Sequence, residues 1–147
     1  MPGLLPPAGV TVTSWRVRVA YADTDQGGVV HHGTYLRYLE CGRVEHMRER
    51  GFDYRALEER ERLGLLVVEA NVRYKLPARF DDVLELRSWI GLGNRAKLRF
   101  DTQILRGDDV LTEAQITLAC VHMERARIVS MPAGVLALAD ATVAKKI

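Results

Sequence analysis

Residues 32–50 read HGTYLRYLECGRVEHMRER and contain no proline. Gly51 follows them, and glycine is a common helix terminator. The pattern therefore predicts a helix of about five turns. Its apolar stripe comprises Tyr35, Leu39, Gly42 and His46, widened by Leu36, Tyr38 and Met47. A stripe this broad predicts that the rest of the fold encloses most of the helix.

Strand patterns dominate the chain on both sides of this helix. Residues 15–21 alternate apolar and polar side chains, as a half-buried strand does. A shorter helix is predicted within residues 52–64. Four further strands are predicted at residues 65–76, 82–91, 95–106 and 109–123, with turns at 91–94 and 106–109. This order predicts an α+β fold, in which an antiparallel sheet covers the long helix.

Length and composition indicate one globular domain. The 147 residues are 48% hydrophobic and 27% charged, which suits a chain with a core of its own. We expect a flexible N-terminal arm at residues 1–12 and a single domain at residues 13–147, with a short helix after Pro132. The net charge of +2 gives no indication of a nucleic-acid partner.

The sequence also predicts a location in the cytoplasm. The N-terminus lacks the basic and apolar regions of a signal peptide, and no apolar run is long enough to insert into a membrane. Cys41 and Cys120 have no Cys-x-x-Cys spacing, so we expect both to be reduced and buried.

The chemistry is concentrated in residues 21–40, YADTDQGGVVHHGTYLRYLE. Two carboxylates, a Gly-Gly turn and two histidines precede the start of the long helix. A helix start carries unpaired backbone N–H groups and partial positive charge, so it can polarise a carbonyl. A carboxylate in the preceding loop could then face the same carbon.

The spacing Asp-x-Asp-x-x-Gly-x-Val-x-His-x-x-Tyr, followed by Tyr38, Glu40 and Arg43, resembles the signature of the hotdog-fold thioesterases. These are typified by 4-hydroxybenzoyl-CoA thioesterase and by the acyl-CoA thioesterases associated with the Tol-Pal system. The resemblance extends over about residues 13–132, including the PARFDD connection at residues 77–82. It implies a hotdog fold, in which the sheet wraps around one long central helix.

The resemblance also implies an acyl-CoA thioesterase that needs no metal and no cofactor beyond the coenzyme A of its substrate. Its catalytic carboxylate corresponds to Asp25, which would act as nucleophile or general base, and the N–H that polarises the carbonyl corresponds to His32 at the helix start. Asp23 is expected to brace the turn. Substrate contacts are expected from Tyr21, Gly28, Val29, Gly33, Tyr35, Arg73 and Lys75.

Two departures from the family pattern bear on the substrate. Gln26-Gly27 stands where the hydroxybenzoyl enzymes carry Pro-Ala, and His31 stands where related enzymes often carry an aromatic residue. The first departure favours an aliphatic acyl-CoA. The CoA nucleotide requires cations, and two basic sets are available: Arg73, Lys75 and Arg79, or Arg95, Lys97 and Arg99.

The resemblance further implies a homotetramer, with a dimer at minimum, whose sheets join edge to edge.

Two other functions remain open. A hotdog dehydratase acting on 3-hydroxyacyl thioesters would use a His-Phe-Pro sequence, which is absent here. A hotdog module could also bind acyl thioesters or partner proteins without turnover. An EF-hand is excluded because the twelfth loop position is Thr34 rather than Glu.

Overall fold

The computed structural model describes residues 3–140 and 143. Its helices are α1 (Thr34–Glu49), α2 (Tyr54–Glu61) and α3 (Ala133–Leu136). Its strands are β1 (Thr13–Arg18), β2 (Leu63–Tyr74), β3 (Val83–Gly93), β4 (Leu98–Arg106), β5 (Asp109–His122) and β6 (Arg127–Val129). The predicted order of elements is therefore confirmed, with β6 in addition.

The strands form one antiparallel sheet in the order β1-β3-β4-β5-β2, with β6 paired to the end of β5. Helix α1 packs against β1 and β3 on one face of this sheet. Gly42 permits the close approach, because a Cβ there would lie 3.2 Å from both Leu86 and Ser88. The predicted α+β hotdog architecture, a sheet around one long helix, is confirmed.

Helix α1 buries Tyr35, Tyr38, Leu39, Gly42, His46 and Met47, as its apolar stripe predicted. Leu36 was also expected in this stripe, but 47% of its surface is exposed. Helical periodicity predicts which residues share a face of the helix, but it does not predict how wide a face the sheet covers. The helix ends where expected, with Gly51 at a φ of +77° that glycine adopts without strain.

The predicted turn at residues 91–94 is wrong. Strand β3 continues to Gly93, and the turn is made by Asn94–Lys97. The Asn94 side chain accepts hydrogen bonds from the backbone N–H groups of Ala96 (2.9 Å) and Lys97 (2.8 Å). Gly91 lies instead at a bulge, where a Cβ would collide with the carboxylate of Asp101.

The N-terminal segment contacts the folded body. The Gln103 side chain donates to the Leu4 carbonyl at 2.7 Å, and the Thr11 N–H donates to Asp140 at 2.9 Å. These contacts place the segment against the body, and the flexibility expected of it stays a prediction.

Among the described residues, no helix is long and apolar enough to cross a membrane. The predicted C-terminal helix begins at Ala133 and is short.

His46 is a buried, uncharged base within this core. Its Nδ1 lies 2.9 Å from the Thr13 hydroxyl, and its ring packs edge-on against Phe100. The ring is fully enclosed. Burial, followed by the nearby charge of Arg50, lowers the pKa of His46 to about 4. The native state therefore resists a proton that the unfolded chain accepts at its ordinary pKa.

We expect this difference to make folding acid-sensitive. Above about pH 6.5 His46 is neutral in both states, and as the pH falls toward 4 only the unfolded state gains the proton. The free energy of unfolding should fall by about 3 kcal/mol from this group across that window. Urea unfolding of wild type and His46→Asn at several pH values measures the slope.

The control is His122→Asn, because His122 is only half-buried. We expect His46→Asn to lower stability at pH 7 while flattening its dependence on pH between 6.5 and 4. An unchanged slope in His46→Asn would contradict this interpretation.

Candidate active site

Residues 24–30 form a tight loop between a 3-10 turn (Tyr21–Asp23) and the residues that lead into α1. The Asp25 N–H donates to the Val29 carbonyl (2.9 Å), and the Gly28 N–H donates back to the Asp25 carbonyl (3.0 Å). Gly28 has a φ of +77°, which a side chain would strain. The Gly-Gly sequence thus closes the loop and places Asp25 at its base.

Asp25 is exposed, and its carboxylate uses one oxygen in a hydrogen bond within the loop. Its Oδ1 accepts a hydrogen bond from the Gly27 N–H at 2.8 Å. Within the part of the chain that the structure describes, Oδ2 has no hydrogen-bond partner. A Cβ at position 27 would lie 3.0 Å from Oδ1, so the absent side chain leaves room for the carboxylate in this position.

Asp23 differs from Asp25 in burial and in the number of hydrogen bonds that its carboxylate accepts. Its carboxylate is buried and accepts hydrogen bonds from the Tyr38 hydroxyl (2.7 Å), the Ala20 N–H (2.9 Å) and the Arg37 guanidinium. Burial alone would raise the pKa of Asp23, but the hydrogen bonds and the charge of Arg37 outweigh it and lower the pKa below its ordinary value. The structure thus places Asp23 in the bracing position expected of it.

Helix α1 begins two residues later than the sequence indicated. Its first residue is Thr34, and the N-cap is Gly33, which offers no capping side chain. His31 acts instead, because its Nδ1 accepts from the Gly33 N–H at 3.0 Å and its carbonyl accepts from Thr34 at 2.9 Å. His32 therefore precedes the helix, and its N–H has no acceptor among residues 3–140 and 143.

A cleft of about 330 Å³ opens beside Asp25 and the start of α1. Nine residues line it: Asp25, Val29, Val30, His32, Tyr35, Tyr74, Lys75, Leu76 and Pro77. The Tyr74 hydroxyl donates to the His32 carbonyl at 2.8 Å, which fixes the chain next to the free N–H. The Tyr35 and Tyr74 rings meet edge to face, with centroids 5.2 Å apart.

The structure brings together Asp25, Val29, His32, Tyr35 and Lys75 of the predicted site residues. Four others do not line the cleft: Tyr21, Gly28, Gly33 and Arg73. Sequence reasoning missed Val30, Tyr74, Leu76 and Pro77. Tyr74 had a signal in the sequence, since it belongs to the alternating apolar series of its predicted strand.

The two basic sets lie in different places. Lys75 lines the cleft and pairs with buried Glu113 at 2.7 Å, and Arg79 donates to the Gly28 carbonyl at 3.3 Å. Lys97 and Arg99 line a separate small pocket with Glu69 and Gln115. Only the first set borders the Asp25 loop. In the described part of the chain, no group of His, Cys, Asp and Glu side chains could hold a metal ion.

Comparison with known proteins identifies the family of this chain. Residues 19–138 match the family model described as the thioesterase-like superfamily. The acyl-CoA thioester hydrolase YbgC of Escherichia coli O6:H1 is 35% identical over 128 residues, covering 86% of this chain and 95% of that protein. YbgC of Haemophilus influenzae is 33% identical over 119 residues, covering 81% and 88%.

Solved structures support the same grouping. A probable thioesterase from Bartonella henselae is 30% identical with a TM-score of 0.78, covering 83% of this chain and all of that one. A mutant of 4-hydroxybenzoyl-CoA thioesterase, complexed with 4-hydroxybenzoyl-CoA, has a TM-score of 0.79 at 20% identity, covering 88% of this chain and 99% of that one, and shows the likeness of fold. The chain therefore belongs to the thioesterase-like superfamily, as a member with the hotdog fold.

Proposed function

We propose that this protein hydrolyses an aliphatic acyl-CoA to the free acid and coenzyme A. Asp25 is the nucleophile or general base, and the N–H of His32, beside the N-terminus of α1, polarises the thioester carbonyl. One observation carries the proposal: Asp25 and His32 line the same cleft, and a carboxylate oxygen of the first and the backbone N–H of the second have no partners in the described chain. The chain is a thioester hydrolase, as its membership of the family and its relatives show, and the proposal concerns the substrate and the residues that act on it.

Either role of Asp25 gives a complete route to hydrolysis of the thioester. In the first, Oδ2 attacks the carbonyl carbon, the C–S bond breaks, and water hydrolyses the resulting mixed anhydride. In the second, Asp25 accepts a proton from water, whose oxygen attacks the same carbon. The thiolate leaves readily either way, so one carboxylate and one electrophilic N–H suffice. No cofactor is required beyond the coenzyme A of the substrate.

The lining of the cleft supports an aliphatic acyl group. Val29, Val30, Leu76 and Pro77 supply apolar surface next to Asp25. Gln26 and Gly27 replace the Pro-Ala of the hydroxybenzoyl enzymes. The relatives named YbgC are an acyl-CoA thioester hydrolase and an acyl-CoA thioesterase, in line with a CoA thioester as substrate. We retain the cytoplasm as the predicted location.

Strand β2 supports the proposed oligomer. It lies at the edge of the sheet, and Leu66, Val67 and Val68 on it are 53%, 42% and 47% exposed. An apolar edge strand invites pairing with another strand. We propose that two copies pair along β2 and that the dimers assemble into a tetramer.

The sharpest test replaces the catalytic carboxylate. Asp25→Asn keeps the size and one acceptor oxygen but removes the charge, so kcat should fall by roughly 10²–10⁴-fold. KM should remain within about tenfold, because the interaction is made chiefly in the transition state. Steady-state kinetics on one good acyl-CoA substrate, following release of the free thiol, measures both constants.

Asp23→Asn is the matched control, because it removes the other carboxylate of the motif. It removes the charge of a buried carboxylate that accepts from buried Tyr38 and pairs with the largely exposed Arg37, so its thermal midpoint should fall. We have assigned the wrong carboxylate if Asp25→Asn keeps more than about a tenth of wild-type kcat while folded Asp23→Asn is inactive.

Substrate preference is tested by a series of acyl-CoA chain lengths beside 4-hydroxybenzoyl-CoA. We expect the highest kcat/KM for an aliphatic chain, since each methylene-sized contact shifts discrimination by about 1–3 kcal/mol. Faster turnover of the hydroxybenzoyl ester than of every aliphatic ester would contradict the proposal. Binding without any hydrolysis would indicate a non-catalytic module, and hydration or dehydration instead would indicate the dehydratase.

The oligomer is tested with Leu66→Lys on the edge strand. Sedimentation of the wild type should show a dimer or tetramer at micromolar concentration, and the variant should shift toward the 16.5 kDa monomer, because a buried lysine would oppose pairing. Ile128→Lys, at an exposed position on β6, is the control and should keep the wild-type size. A wild type that sediments only as a monomer would refute this assembly.

A further inference from the structure

Two aromatic side chains form an exposed stack outside the cleft. Tyr21 and Phe80 are 77% and 51% exposed, and their ring centroids are 4.7 Å apart. Neither ring belongs to the hydrophobic core. Contiguous exposed apolar surface is a feature of ligand-binding and interaction sites, and the two stacked rings form such a surface.

The stack is joined to the cleft through the backbone. The segments 19–30 and 78–82 lie side by side, held by hydrogen bonds from Val30 N to Ala78 O (2.8 Å) and from Val19 N to Asp82 O (2.9 Å). Tyr21 precedes Asp25 by four residues, so their Cα atoms are at most about 14 Å apart even in extended chain. The aromatic pair is therefore a near neighbour of the catalytic carboxylate.

A cation accompanies the aromatic pair. Arg79 precedes Phe80, and its guanidinium reaches the Gly28 carbonyl at 3.3 Å. Within the described residues it makes no ion pair with a carboxylate, whereas the neighbouring Arg18 is paired with Asp81. Arg79 thus keeps most of its hydrogen-bonding capacity for an anion, and guanidinium groups match phosphate geometry well.

We propose that the adenine ring of coenzyme A stacks on Tyr21 and Phe80 and that Arg79 binds a phosphate of the same nucleotide. This inference rests on the proposed function. An acyl thioester held at Asp25 fills the cleft with its acyl end, so the nucleotide at the other end of the pantetheine arm must bind outside it. Aromatic platforms beside cations are the usual means of binding a base together with its phosphates.

A second copy of the chain is the competing occupant of this surface. Tyr21 follows β1 and Phe80 precedes β3, so the pair lies by the β1 margin of the sheet. Strand β2, the edge proposed for dimer pairing, is at the opposite margin. The position of the pair thus favours a ligand over that subunit interface.

The first experiment measures binding without chemistry. Adenosine 3′,5′-bisphosphate, the nucleotide end of coenzyme A, is titrated calorimetrically into wild type, Tyr21→Ser, Phe80→Ser and Arg79→Gln. We expect the dissociation constant to rise about tenfold or more in each serine variant, and Tyr21→Trp to retain binding because it restores a stacking face. For Arg79→Gln we expect weaker binding with a smaller dependence on salt.

The matched control is Ile128→Ser, which removes an equally exposed apolar side chain at the far end of β5. The inference is wrong if the wild type does not bind the bisphosphate at millimolar concentration. It is also wrong if the serine variants bind as tightly as this control, or if they change the sedimentation of the protein, which would assign the surface to a second copy.

The second experiment separates the two proposals. One acyl group is presented as its CoA thioester and as its N-acetylcysteamine thioester, which lacks the nucleotide. In Tyr21→Ser and Phe80→Ser, the ratio of kcat/KM for the CoA ester to that for the truncated ester should fall about tenfold. An unchanged ratio overturns the nucleotide site and leaves the hydrolase intact. Bisphosphate binding that depends on the pair, without hydrolysis of either ester, overturns the proposed function alone.

Discussion

The buried carboxylate of Asp23 is the interaction on which the site depends. It accepts hydrogen bonds from Tyr38 and Arg37 on α1 and from the Ala20 N–H, just after β1, so it ties the loop to the helix that the sheet encloses. The chain can then present Asp25, two residues later, in a fixed place relative to the helix start. One carboxylate is committed to structure so that the other can remain free.

Most of the fold could be predicted from local patterns. The helix at α1 was evident from its apolar stripe, the lack of proline and Gly51, and the strands from their alternation. The errors have physical causes. Gly91 resembles a turn residue, but it is required at a bulge because the Asp101 carboxylate occupies the space of a side chain. Leu36 is apolar and yet exposed, because the sheet does not reach around to it.

The candidate site could be predicted only where it is continuous in sequence. Asp25, Val29, His32 and Tyr35 fall within one short motif, whereas Leu76 and Pro77 lie beyond the end of β2 and reach the cleft through the tertiary fold, which no local pattern specifies. Arg73 and Lys75 would share a face of an ideal strand. Strand β2 ends at Tyr74, however, so only Lys75 is released to line the cleft.

The segments 19–30 and 78–82, beside the cleft, are joined by main-chain hydrogen bonds such as those of Val19 and Val30. Bonds of this kind do not depend on which side chains the segments carry. Surface positions such as 21, 26 and 80 can therefore diverge without displacing the reacting groups. A scaffold built this way can acquire new selectivity by single exposed substitutions, which makes these loops suitable targets for directed evolution of thioester preference.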